Sequence, residues 1–240
     1  MSIAVDFATL SAYQRYKLMA SLIVPRPIAL VTTQNAAGVV NAAPFSMFNM
    51  MGEDPPILMI SINKLADGHL KHTAANILAH GQFVVHMADE PMAEQMHRCG
   101  DNLPATESEL DADGLTAPRS RPVRPRRDER PRVPPQCPRH GPIAPPPRAV
   151  TPPRIVEAPV AFECELEEKI ETASRHIFIG RVLWLHARED LVDVERCRVR
   201  LQNYFPVARF GASFYIRTRD RFSMSDEHGG AEASGIDEMA

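Results

Sequence analysis

A chain of 240 residues, 44% hydrophobic and 24% charged, can bury a core of its own without disulfides or metals. Its net charge of −3 argues against a general nucleic-acid binder, although residues 118 to 148 concentrate nine arginines against Asp128 and Glu129. The N-terminal MSIAVDFATLSAYQRYKL lacks a basic region followed by an apolar run, no stretch reaches the ~18 apolar residues of a membrane span, and the four cysteines stand far apart; a reduced, cytoplasmic protein without a zinc site is expected.

Ser11 is placed to N-cap a helix over Ala12 to Leu22, with Tyr13, Tyr16 and Met19 recurring on one side. Pro25 and Pro27 end it, because neither supplies an N–H and each drives the preceding residue to extended geometry. IALVTTQ (28–34) and VVNAAPFSMF (39–48) read as the two strands of a hairpin around Asn35-Ala36-Ala37-Gly38, with glycine available for positive φ. Asp54-Pro55-Pro56 makes the next turn, and ILMISI (57–62) is apolar enough for a strand covered on both faces. HLKHTAANILAHG (69–81) returns to helical spacing, with Leu70, Ala74, Ile77 and Leu78 as its stripe and Gly81 as its stop. FVVHMA (83–88) is a further strand, and Asp89 with Pro91 opens a short helix to about Arg98.

The stretch 118–148 holds eleven of the 22 prolines and almost no apolar side chains, so a disordered Pro/Arg-rich insertion is expected there. Beyond it, VAFECELEEK alternates Val160, Phe162, Cys164 and Leu166 with Glu163, Glu165 and Glu167, the pattern of a strand with one solvent face. HIFIGRVLWLHA (176–187) and FYIRT (214–218) add two more strands, and the tail from Ser223, with five acids and no Lys or Arg, is expected to be disordered. The sum is one domain over residues 1–222, mainly β with short helices, interrupted by the insertion and arranged as a closed or partly closed antiparallel barrel. No GxGxxG follows a strand, so a dinucleotide-binding βαβ wrap has no support.

The candidate chemistry is an anion site. Lys71 and Thr73 stand at the start of a helix, where free N–H groups and the dipole already favour negative charge. Arg26, held between two prolines, offers a second cation, and Ser46 and Asn49 break an otherwise apolar strand. Each has a bland alternative: a solvated lysine, a capping threonine, an arginine in a connector, and in Thr32 and Thr33 mere β propensity. His69, His72, His80, His86, His97, His176 and His186 show no metal spacing, and no GxSxG or nucleophilic cysteine signature is present.

PRPIALVTTQNAAGVVNAAPFSMFNMMGEDPPILMISI, followed by LKHTAANI, FVVHM, PPRIVEAPVAFECEL and ARFGASFYIRTRDRF, resembles the flavin reductase-like family of FMN-binding split β-barrels, particularly its flavoredoxin-type branch. The resemblance covers residues 6 to 116 and 149 to 222 and implies an antiparallel split β-barrel that holds FMN at a homodimer interface. It implies that Arg26, Thr32, Thr33, Ser46, Lys71 and Thr73 hold the phosphate, with Asn76 retained from the family's helix-start pattern. Backbone at Ala43 and Pro44, with Asn49 and Ser61, would meet the ribityl chain and ring. His72 and Ala75 replace the acid and arginine usual in that pattern, and the thirty residues before PPRAVTPPRIVEAP are an insertion or a frame excursion at a surface connection. The implied activity is hydride transfer from NADH or NADPH to flavin N5, with electrons passed to a downstream acceptor or a monooxygenase. No side chain is required as acid or base, so no catalytic residue and no metal ligand is assigned. The alternatives are an FMN-binding electron carrier without turnover and, from another class, nucleic-acid binding through the arginines of 118–148, which lack aromatic residues for base stacking.

Overall fold

The computed structural model describes residues 2–118 and 149–222; the Pro/Arg-rich stretch from residue 119 and the acidic tail lie outside the described residues. In chain order the elements are α1 (Ala12–Leu22), β1 (Arg26–Pro27), β2 (Ala29–Gln34), β3 (Val40–Phe45), β4 (Phe48–Glu53), β5 (Pro56–Asn63), α2 (His72–His80), β6 (Gln82–Met87), α3 (Ala93–Arg98), α4 (Glu109–Asp113), β7 (Val160–Glu171), β8 (Arg175–Ala187), β9 (Val192–Asp193), β10 (Arg198–Val199), β11 (Val207–Arg209) and β12 (Tyr215–Arg217). Helix α1 begins as the sequence dictates: the Gln14 N–H donates to Ser11 Oγ while Gln14 Oε1 accepts from the Ser11 N–H, a reciprocal capping box. Gly38, at φ 84°, lets the chain reverse between β2 and β3.

Seven strands pair antiparallel in the order β3-β2-β6-β7-β8-β5-β4. The two strands at the ends of that order are consecutive in the chain, separated only by Ser46 and Met47, so a bend there carries the backbone from one edge of the sheet to the other and closes the barrel. The Ser61 N–H donates to Met47 O at 2.8 Å across the closure. VVNAAPFSMF is therefore two strands and a bend, not one strand, because a single straight strand cannot serve both edges.

Inside, Val31, Phe45, Leu58, Ile60, Ile62, Val85 and Phe178 form one core, and Ala74 and Ile77 of α2 plug it. Phe83 fills the centre so completely that a Cβ on Gly180 would stand 2.3 Å from its Cζ. A second core lies on the outer face of β2 and β3, where Ile28, Leu30 and Ala42 meet Met92, Met96, Leu110 and Ile155. It is thus β2 that is buried on both faces, whereas β5 alternates, with Leu58, Ile60 and Ile62 inside and Ile57, Met59 and Ser61 only partly covered. Helices and the returning chain cover the β2 side and leave the β5 side bare.

That returning chain, residues 149–157, is strapped across the barrel by four side chains. Glu163 Oε2 accepts from the Ala149 N–H at 2.6 Å, Gln82 Oε1 from the Thr151 N–H at 3.0 Å, and His86 Nε2 from the Ile155 N–H at 2.9 Å, while Thr32 Oγ1 donates to Pro153 O at 2.6 Å. Since His86 Nε2 accepts, Nδ1 carries the proton and donates to Leu30 O at 2.8 Å. Glu163, expected on a solvent face, is only 2% exposed, because the strap and His186, at 2.8 Å, enclose it. Burial pushes its carboxyl up, but the bonds from His186 and Ala149 prevail and hold it below its ordinary value.

β1, β11 and β12 form a small separate sheet that brings the C-terminal strands beside the start of the barrel, with Arg26 opposite Arg209. Among the described residues no helix is long and apolar enough to cross a membrane.

Candidate functional site

The first backbone bond of α2 runs from the Ala75 N–H to Lys71 O, which leaves the N–H groups of His72, Thr73 and Ala74 ahead of it. Lys71 is the N-cap and makes no side-chain capping bond, so its ammonium is available to the space in front of the helix. Burial pushes that ammonium below its ordinary value, and the nearby Arg175, which also donates to Ser61 O at 3.4 Å, adds to the shift. Thr73 accepts from Asn41 Nδ2 at 2.9 Å through Oγ1, so its own hydroxyl hydrogen remains to donate. Asn41, Ala43, Lys71 and Thr73 line a narrow cavity of about 90 Å³, closed on another side by Glu109, whose carboxylate accepts from the Ala42 N–H at 2.9 Å.

A second, wider cavity of about 450 Å³ is lined by Pro44, the neighbour of Ala43. Pro44, Ser46 and Arg26 form its floor, and Tyr13, Tyr16 and Lys17 of α1 stand along one wall. His97, Arg209 and Tyr215 form another, with His97 Nδ1 and the Tyr215 hydroxyl 2.9 Å apart. Gly100 and Asp101 line both cavities, so the two lie side by side. Arg26 is 8% exposed; its Nη1 donates to Ala20 O and, at 2.7 Å, to Ile23 O, tying down the end of α1, and its Nε reaches Ser46 Oγ at 3.4 Å. Burial pushes its guanidinium below the ordinary value, Tyr16 opposes the shift and Arg209 adds to it.

The sequence candidates therefore divide. Lys71, Thr73 and Ala43 line the narrow cavity, whereas Arg26, Pro44 and Ser46 line the wide one, so Arg26 and Lys71 face different cavities. Thr33 and Asn76 are buried against each other at 3.0 Å and anchor α2 to β2. Thr32 points to the opposite face of its strand, where its hydroxyl is taken up by Pro153 O. Asn49 lies outside the groove, among Phe48, Met50, Phe162 and Leu185, with Oδ1 accepting from the Met50 N–H at 2.9 Å. Ser61 is engaged through its backbone with Met47 and Arg175.

Sequence reasoning did not single out Lys17, His97, Arg209 or Tyr215. The available signal was the spacing of Tyr13, Tyr16 and Lys17 on a helix that buries only Ala20 and so presents these side chains to something other than the core.

The fold agrees with the comparisons. The Bacillus subtilis protein YwrF is 34% identical over 221 residues, covering 90% of this chain and 94% of its own length. Among solved structures, 2-nitrobenzoate 2-nitroreductase NbaA of Pseudomonas fluorescens superposes with a TM-score of 0.75 at 34% identity, covering 96% of this chain and 100% of that one. Nitrilotriacetate monooxygenase component B of Bacillus cereus gives 0.77 at 27% identity, covering 93% and 99%. The barrel closed at Ser46–Met47 is the antiparallel split barrel of such proteins. With the flavin reductase like domain matched over residues 19–201, the chain belongs to the flavin reductase-like family.

Proposed function

We propose that the protein is an FMN-dependent oxidoreductase with NADH or NADPH as reductant, its flavin spanning the two adjoining cavities with the phosphate at the α2 end. The observation that carries this reading is the pairing of two adjoining cavities: a cation and the free N–H groups of a helix start at the narrow one, and room of about 450 Å³ in the other. Lys71, the Thr73 hydroxyl and the α2 N–H groups would hold the phosphate. Backbone at Ala43 and Pro44 would run beside the ribityl chain, and Pro44 would border the ring. FMN, when bound, supplies the hydride-accepting chemistry, so the chain has only to bind, orient and shield it.

The relatives named as a nitroreductase and as a monooxygenase component favour electron transfer onward to a small oxidised molecule or to a monooxygenase partner. The same reading makes the protein a homodimer. The apolar groove around Asn49, with Met50, Trp184 and Leu185 exposed nearby, is a face that a second copy would cover.

The test is an absorption titration of the purified protein with FMN, followed by NADH and NADPH consumption and by sedimentation to count protomers. A flavin band that shifts to saturation, with flavin-dependent oxidation of one nicotinamide, supports the reading. Binding without turnover of either leaves an electron carrier, and a band that never shifts sinks the proposal.

A further inference from the structure

Arg26 and Arg209 are register partners across β1 and β11. Like charges directly opposite on adjacent strands repel, and proteins ordinarily relieve this with a carboxylate. The arginines of the same C-terminal region show that solution: Arg217 and Arg219 both reach Glu90, and Arg188 reaches Asp89 and Asp190. Arg26 and Arg209 lack it. Among the described residues neither makes an ion pair, nor does Lys17 on the wall above them, and Asp101, which lines the same cavity, pairs with none of the three.

Their hydrogen-bonding capacity is also only partly used. Arg26 engages Nε and Nη1, and Arg209 engages Nη2 with Ala212 O, which leaves Arg26 Nη2 and the Nε and Nη1 of Arg209 without partners among the described residues. None of these is a buried orphan; among the described residues that condition is met only by Arg181 Nε. They are reachable donors on the wall of one cavity. Around them the lining is aromatic. The Arg209 guanidinium lies 4.7 Å from the centre of the Tyr215 ring, Lys17 Nζ lies 5.7 Å from that of Tyr13, and Tyr16 lines the same cavity. Tyr215 is held in turn by His97, edge-on at 5.7 Å between ring centres.

We propose that the wide cavity binds a small aromatic carboxylate, its carboxylate received by Arg26 and Arg209 with Lys17 alongside, and its ring laid against Tyr16 and Tyr215. An anion is called for by the paired arginines, and a planar ring by the tyrosines that flank them. The proposal rests on the flavin reading in one respect: it names the class of molecule that would meet the cofactor in that groove. Its residues are otherwise separate from Lys71, Thr73 and the α2 terminus.

Calorimetric titration of the full chain, with and without saturating FMN, tests it, using benzoate and its uncharged analogue benzamide as probes. Benzoate is expected to bind at least about tenfold more tightly than benzamide, the factor of one charge-assisted hydrogen bond. That preference should fall to within about threefold in Arg209→Gln and in Lys17→Gln, the lysine being on an exposed helix whose substitution leaves the barrel intact. Equal affinity for the two probes overturns the proposal, as does a preference that survives Lys17→Gln and Arg209→Gln alike. If FMN does not bind but the benzoate preference is present, the flavin reading fails and this one stands. If FMN binds and the preference is absent, or bound FMN abolishes it, this one fails alone.

Discussion

The strap across the outer face of β2, β6 and β7 and the groove beside the Ser46 bend are both rich in polar side chains, yet they differ in how those side chains are employed. The four side chains that hold the strap all have fixed partners: Thr32 with Pro153, Gln82 with Thr151, His86 with Ile155 and Leu30, Glu163 with Ala149 and His186. In the groove Lys71 caps a helix without a side-chain bond, and Arg26 and Arg209 retain free donors. Residue type does not separate the two regions, since Thr32 holds the strap and Thr73 lines the narrow cavity. The accounting of partners does.

If that division holds, strap variants lose stability and keep the flavin, while groove variants do the reverse. The largest effect is on acid stability. Complete burial, opposed by the bond to Leu30 and reinforced by Arg154 and His186, lowers His86 to about 4 from its ordinary 6.5. The unfolded chain then takes up this proton at higher pH than the folded one. The stabilisation is present above about pH 6.5 and is lost as pH falls toward about 4, a difference of about 3 kcal/mol. Urea midpoints measured at intervals from pH 7 to 4 should follow that slope, and His86→Gln, which can still donate and accept, should flatten it. A slope unchanged in the variant would assign the acid sensitivity elsewhere.

Next comes Thr32→Val, nearly the same shape without the hydroxyl. It leaves Pro153 O without its donor in a fully buried place, so about 1–3 kcal/mol of stability should be lost. FMN affinity should stay within about twofold by absorption titration, because the hydroxyl is on the far face of β2. A larger loss of affinity would mean that the strap and the groove are coupled through the strand.

These two residues also show where sequence stops being legible. Elements defined by neighbours in the chain are legible directly: the Ser11 cap of α1, the Gly38 reversal, the Gly81 stop of α2. Alternation also says that Thr32 and Thr33 point opposite ways. It does not say which way the groove lies, because that depends on α2 packing on one face and on residues 149–157 crossing the other. Local alternation puts Glu163 on a solvent face for the same reason: the strap that buries it comes from another part of the chain. The bend at Ser46–Met47 follows from closing a seven-stranded sheet, a condition that no local window contains. Arg209 gains meaning only when β11 is laid beside β1.

On the groove side, Lys71→Gln should weaken FMN about tenfold, as expected for losing one charge-assisted phosphate contact, with the urea midpoint barely moved. A midpoint that falls while affinity holds would return Lys71 to the scaffold.

The smallest effect is expected of Ser46→Ala, and it probes the boundary between the two regions. Ser46 sits in the bend, partly exposed, and its one side-chain partner is Arg26 Nε at 3.4 Å, near the limit at which a hydrogen bond retains strength. Arg26 is held far better by the carbonyls of Ala20 and Ile23, so losing the hydroxyl should change stability by less than about 0.5 kcal/mol. Affinity for FMN then decides what the hydroxyl is for. A threefold or greater weakening at unchanged stability would place Ser46 with Lys71, as a group kept loosely paired so that a ligand can take it. No change would place it with Thr33 and Asn76, whose polarity serves the turns and helices around the groove rather than its contents.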